Sequence, residues 1–136
     1  MNITLLFCED AVTRPDGKLD INGVFNELYA SGFPARQERV MIAGIIEWER
    51  SINGKQPFVI HLRDPDEKPI FTIDGYTDVD ARHDDQAPAR THLILPLENL
   101  IFPSVGEYQL HMEILDQQFL GPSLYLIASE QRQNNL

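Results

Sequence analysis

The chain has 136 residues, a formal net charge of −10 and a hydrophobic content of 43%. This length and content predict one folded domain with a real core and argue against a disordered chain. A negative surface repels phosphate backbones, so nucleic acid is not an expected partner. Neither is a membrane, because no apolar run reaches the length of a span.

Apolar patterning predicts four strands in the first half of the chain. Residues 3–8 and 40–46 are apolar at nearly every position, which is typical of strands that are buried on both faces. Residues 19–25 and 58–63 alternate between apolar and other side chains with period two, which is typical of half-buried strands.

The second half of the chain predicts three further strands of the same kind. Residues 70–73 form a short one, which we expect Asp74-Gly75 to end. Residues 92–97 form the next, and Pro96 within it lacks an N–H group, which places this strand at a sheet edge or at a bulge. Residues 124–128 form the last.

Between the predicted strands at residues 92–97 and 124–128 lies a segment whose sequence gives one signal for a helix and another for a strand. Ser104-Val-Gly-Glu107 matches the capping box that starts many helices. However, Tyr108, Leu110, Met112 and Ile114 recur with period two, which a helix would not show. We therefore predict a turn that leads into a strand.

Turn chemistry separates the predicted strands. Pro15-Asp-Gly17 predicts a turn, because proline presets φ and glycine accepts positive φ. Asn53-Gly54 lies between two predicted strands and is a strong hairpin signal. Residues 26–38 are irregular and hold either the continuation of a strand or a crossing loop. Residues 77–90 are polar and form the longest predicted loop.

These elements predict an all-β fold, an antiparallel immunoglobulin-like β-sandwich of about seven or eight strands. A barrel would also suit short strands at this spacing, but strands that are apolar on both faces favour a sandwich. Tyr108 follows a turn glycine, as a tyrosine at the corner of such sandwiches does. We expect one domain over residues 1–128 and a frayed polar tail over residues 129–136.

The acidic loop after residue 73 is the main candidate for a metal site. Asp78, Asp80, Asp84 and Asp85 lie close together in sequence. Calcium takes six to eight oxygen ligands, and carboxylates on sandwich loops supply them. The alternative is a solvated loop, because no ligand spacing in this segment enforces a metal site.

Other reactive residues offer weaker patterns. His61, His92 and His111 lie on predicted strands, where they would either meet and bind a transition metal or stay exposed. An enzyme would need Cys8 beside a histidine, or Glu47 with Glu49 in a cleft. Cys8 lies in an apolar strand, which is typical of an inert buried thiol.

Three segments form a recognisable combination: Gly17-Lys-Leu-Asp-Ile-Asn-Gly23, then Gly23 to Ala35 with its Phe-Pro-Ala ending, and the turn Pro103-Ser-Val-Gly-Glu-Tyr108. Together they resemble an uncharacterised family of small bacterial β-sandwich domains. The resemblance covers most of the chain and is weakest in the middle. It implies a common sandwich fold, and it assigns no catalytic residue or cofactor, because the family is a domain of unknown function.

The amino terminus lacks the basic residues of a signal peptide, so we expect a cytoplasmic protein. A complete strand pattern without a catalytic constellation favours a non-enzymatic protein-binding or assembly module without a cofactor. Its partner would be another protein or a second copy in a homodimer, because sheet edges invite pairing. The alternative is a sandwich that binds carbohydrate or calcium through the acidic loop, Trp48 and Tyr76.

Overall fold

The computed structural model describes residues 1–129, which contain nine β-strands and no helix. In chain order the strands are β1 (Asn2–Thr13), β2 (Leu19–Phe25), β3 (Glu27–Ala30), β4 (Ala35–Glu47), β5 (Gly54–Arg63), β6 (Pro69–Val79), β7 (Arg90–Phe102), β8 (Gly106–Ile114) and β9 (Gln117–Ala128). In this part of the chain, no helix is long and apolar enough to cross a membrane. All of the predicted tail except Ser129 lies outside the described residues.

The strands form two sheets that pack face to face. One sheet has the order β2-β1-β4-β7 and the other has the order β3-β9-β8-β5-β6. The all-β prediction is confirmed, but the described residues form nine strands rather than seven or eight. The prediction of an antiparallel sandwich also needs a correction, because β3 pairs parallel with β9.

Side-chain alternation fills the core between the sheets. On β8, Tyr108, Leu110, Met112 and Ile114 are all buried, whereas Glu107 and Glu113 are exposed. The period of two therefore predicted the inward face of this strand correctly. Each large side chain that is fully buried contributes about 2 kcal/mol of transfer free energy, so this one strand supplies a substantial part of the core.

The β1–β2 hairpin bends over the outer face of its own sheet. Pairing between β1 and β4 ends at Cys8 and Met41, and beyond this point β1 pairs only with β2. The far end of the hairpin reaches β7, where Thr13 Oγ1 lies 3.1 Å from His92 Nδ1. The hairpin encloses a second apolar cluster against the outer face of the sheet. This cluster explains why the sequences of β1 and β4 are apolar on both faces. Its buried members are Cys8, Ala11, Met41 and Ala43.

The turn before β8 matches the strand interpretation. Gly106 has a φ of 132°, a value that glycine adopts more readily than any other residue. The Tyr108 hydroxyl donates to the Ser104 carbonyl at 2.7 Å and accepts from the Ser104 N–H at 3.2 Å. The Ser-x-x-Glu match therefore does not begin a helix, and the tyrosine holds the corner through the backbone instead.

Three local predictions are wrong for tertiary reasons. Asn53-Gly54 does not make a hairpin, because β4 and β5 belong to different sheets. Asp74-Gly75 does not end a strand, because β6 continues to Val79 by pairing with β5. Residues 77–79 therefore belong to that strand rather than to the loop.

Candidate functional site

The four aspartates predicted to bind metal lie near the end of β6 and in the loop after it. Asp78 is on β6, Asp80 follows the strand, and Asp84 and Asp85 form a turn. No three acidic, histidine or cysteine side chains among the described residues gather in a way that could hold a metal ion. The calcium site therefore stays a prediction, and a calcium titration of the melting temperature tests it.

An arginine side chain from the connection between β4 and β5 contacts this loop. The guanidinium of Arg50 donates through Nη1 to the carbonyl of His83 at 3.0 Å and also to the carbonyl of Gln86. These two carbonyls flank the turn of Asp84 and Asp85, and His83 O also accepts from Gln86 N at 3.0 Å. Arg50 thereby supplies positive charge where the calcium hypothesis places a metal ion.

The aromatic pair proposed for carbohydrate is divided by burial. Trp48 is only 1% exposed, and its indole Nε1 donates to Thr91 Oγ1 at 2.8 Å. That part of the prediction is wrong, because a ring enclosed in the core cannot stack on a ligand. Tyr76 is 58% exposed, and Lys55 Nζ lies 4.0 Å from its ring centroid, within the range of a cation–π contact.

The residues considered for an enzyme have separate environments. Cys8 is fully buried, and burial together with Asp10 raises the pKa of its thiol. Glu47 lies 3.8 Å from Arg90, whereas Glu49 lies 3.4 Å from the amino terminus. Each carboxylate thus faces a different cation, and the thiol is held in the form that is a poor nucleophile.

Two of the histidines meet on the outer face of the five-stranded sheet. His61 and His111 are paired across β5 and β8, and their rings stack at 5.2 Å between centroids. Arg63 donates from Nε to His61 Nε2 at 3.0 Å, so this nitrogen of His61 acts as an acceptor. His92 lies on β7 in the other sheet, so the three strand histidines do not form one site.

This pair predicts a pH dependence of stability. Burial lowers the pKa of His111, and Arg63 and His61 lower it further, while Glu67 and Glu113 act in the opposite direction. In acid the unfolded chain therefore binds a proton more readily than the folded protein does. We expect the free energy of unfolding to fall as the pH decreases below the ordinary histidine pKa of 6.5.

Urea unfolding at neutral and acidic pH measures this effect. His111→Gln should flatten the dependence, because glutamine has no proton to gain. His83→Gln is the matched control, since His83 is exposed in a loop. An identical pH dependence in the wild type and His111→Gln would contradict the assignment to His111.

The sheets leave four edges within residues 1–129, and three of these are interrupted or short. Edge strand β7 carries Pro96, as predicted, and its Asn99 has a positive φ of 56°. Edge strand β2 has Gly23 at a φ of 66°, and β3 is only four residues long. Proline, irregular backbone and short length are the means by which proteins block unwanted strand pairing.

The fourth edge, that of β6, is long and regular. Strand β6 has 11 residues, and Pro69 is its first. From Phe71 to Val79 it pairs in continuous register with β5 and with no other strand. No backbone hydrogen bond from a loop reaches these residues within the described chain. One side of β6 therefore presents unpaired N–H and C=O groups, and we call residues 71–79 the open edge.

Comparison with known proteins identifies a family for the chain. The sequence model of a family of unknown function (DUF6941) matches residues 3–126. The chain belongs to the DUF6941 family. This confirms the resemblance to an uncharacterised domain family. No curated protein matches the chain, and no solved structure does either. The family has no assigned function, so only the geometry of this DUF6941 chain itself indicates one.

Sequence reasoning missed the open edge, although a signal was present. Asp74, Tyr76 and Asp78 are exposed and alternate with less exposed residues up to Val79, which continues the period of β6. Gly75 concealed the pattern, since glycine is usually read as a strand breaker. In this DUF6941 chain, a Cβ at Gly75 would lie 2.9 Å from the ring of Phe58, so a larger residue would press on the core.

Proposed function

We propose that this chain is a non-enzymatic protein-binding module that accepts an extended segment of a partner along the open edge. The observation that carries the proposal is the open edge itself, nine residues of regular strand without proline, bulge or covering loop. Main-chain donors and acceptors at strand spacing are complementary to another extended polypeptide. This favours a protein partner over a sugar or a metal ion.

The environments of the residues considered for other functions also favour a protein-binding module. The thiol of Cys8 is enclosed, Glu47 and Glu49 face separate cations, and Trp48 is buried in the core. The thiol and the indole are thus out of reach of a ligand, and the two carboxylates do not face one another across a cleft. Strand addition needs none of them, because the backbone supplies the affinity and side chains on the exposed face supply selectivity.

The finer fold assignment, an immunoglobulin-like sandwich, belongs to the same proposal. Two features support it. After Asn26 the chain passes from one sheet to the other, and β3 then pairs parallel with the last strand. The hydrogen bonds between Tyr108 and Ser104 have the form of a tyrosine corner. In such a sandwich β6 is a natural edge strand.

Site-specific photo-crosslinking in the cells that make the protein tests the proposed function. A photoreactive residue at Thr72, exposed on the open edge, should yield a covalent adduct with a discrete polypeptide. The same residue at Val105, which is 51% exposed in the turn before β8 and is not part of the open edge, should not. A synthetic peptide of the captured segment should then shift the backbone amide resonances of β6. Equal labelling at both positions, or no adduct at Thr72, would contradict the proposal.

A further inference from the structure

The exposed side chains of the open edge have a definite charge pattern. Asp74, Tyr76 and Asp78 stand on the same face, and each of them is exposed. The two aspartates form no ion pair within the described part of the chain. Lys55 is the nearby cation, since it pairs across the sheet with Asp78 and lies over the Tyr76 ring.

We infer that the segment bound at the open edge is cationic, an extended stretch of a partner protein with lysine or arginine at alternate positions. This inference rests on the proposed function and specifies the partner's chemistry. On one face of a sheet, residues directly opposite one another lie about 5 Å apart. Alternate cations on an added strand would therefore stand opposite Asp74 and Asp78, with one side chain over Tyr76.

Charge also disfavours a second copy of the chain in the symmetric register centred on Tyr76. If two β6 strands paired antiparallel about Tyr76, Asp74 of each copy would lie opposite Asp78 of the other. Like charges placed directly opposite one another destabilise a strand pair. The same repulsion disfavours acidic partner segments at the open edge. The charges thereby make binding selective, although the backbone groups could pair with any extended chain.

The Tyr76 ring adds a second element of selectivity. Its contact with Lys55 Nζ at 4.0 Å demonstrates that a cation is accommodated on this ring. The Tyr76 residue is 58% exposed even with Lys55 in this position. A guanidinium or ammonium group of the partner gains from the ring as well as from the carboxylates, which an apolar or acidic side chain would not.

Synthetic peptides matched in length to β6 test the inference. One alternates threonine with lysine, one alternates threonine with glutamate, and one alternates threonine with glutamine. The measurement is the shift of backbone amide resonances during titration at low salt. We expect the lysine peptide to bind, with shifts concentrated in β6, and to weaken as salt is added. The glutamate peptide should not bind.

Charge variants provide the controls. Asp74→Asn and Asp78→Asn should each weaken binding of the lysine peptide about three-fold. Glu38→Gln removes a charge from an exposed position on a central strand of the other sheet and should leave binding unchanged. The double variant Asp74→Lys/Asp78→Lys should reverse the preference and bind the glutamate peptide.

The outcomes separate this inference from the proposed function. Equal binding of all three peptides, or failure of the double lysine variant to change the preference, would overturn the cationic assignment and leave strand addition standing. If none of the three peptides binds, the cationic assignment also fails, and the crosslink at Thr72 alone decides the proposed function. Stable dimerisation of the wild type through β6 would likewise overturn it.

Discussion

Replacing Trp48 by alanine is expected to lower the free energy of unfolding by about 4 kcal/mol, the largest effect of any single truncation that we consider. The side chain is among the largest that are fully buried, and its removal leaves a cavity in the main core cluster, to which Ile46 and Leu93 also belong. It also leaves the Thr91 hydroxyl without its indole partner. Urea unfolding measures the change.

Trp48→Phe is the matched variant. It keeps an aromatic ring in the core but cannot donate to Thr91 Oγ1, so a loss of about 1–2 kcal/mol is expected. Trp48 is the only tryptophan in the chain, so its fluorescence reports directly on this site. The emission should be that of a buried indole and should not respond to added sugars. A sugar-dependent change in emission would contradict the burial on which this prediction depends.

Replacing Gly44 by alanine is expected to destabilise the protein by about 3 kcal/mol. Gly44 lies on β4 directly opposite Leu5 on β1. A Cβ at Gly44 would overlap the carbonyl oxygen of Thr4 and would lie 2.7 Å from Leu5 Cδ2. The nearer atom belongs to the backbone of a paired strand, so the clash cannot be relieved by rotating a side chain.

Gly32→Ala is the control for Gly44→Ala. Nothing lies within 4 Å of a Cβ built at Gly32, and its φ is not positive. Its effect should therefore stay within about 0.5 kcal/mol, as for most surface substitutions. Thermal and urea unfolding of both variants provide the measurement. If Gly44→Ala were as stable as Gly32→Ala, the close approach of β1 and β4 at this point would be contradicted.

Burial changes the ranking of the possible functions. The carbohydrate hypothesis depended on Trp48 as a stacking platform, and the calcium hypothesis depended on aspartates in a loop whose carbonyls Arg50 contacts. The protein-binding proposal depends instead on backbone groups of the open edge, which no described loop covers. Edge pairing is a hazard for most proteins, which is why we propose that an open edge of this length receives a partner.

The sequence by itself determined the presence of eight of the nine described strands and most of their inward faces. Period two at Tyr108, Leu110, Met112 and Ile114 outweighed a capping-box match, because a strand places alternate residues on one face whatever its neighbours are. Pro96 likewise indicated an edge, since a residue without an N–H cannot bond on both sides of a central strand. These are properties of the local chain, so they can be read without a fold.

Only the tertiary structure decided which strands are neighbours, and the candidate site, the open edge of β6, is a result of that strand order. Asn53-Gly54 has hairpin chemistry, yet β4 and β5 lie in different sheets, because β4 pairs with β1 and β7 whereas β5 pairs with β8 and β6. Strand β3 exists through its pairing with β9, and β6 extends past Gly75 through its pairing with β5. A strand is an open edge when no other strand pairs with one of its sides. Whether this is so depends on how distant segments of the chain pair, which local sequence patterns do not reveal.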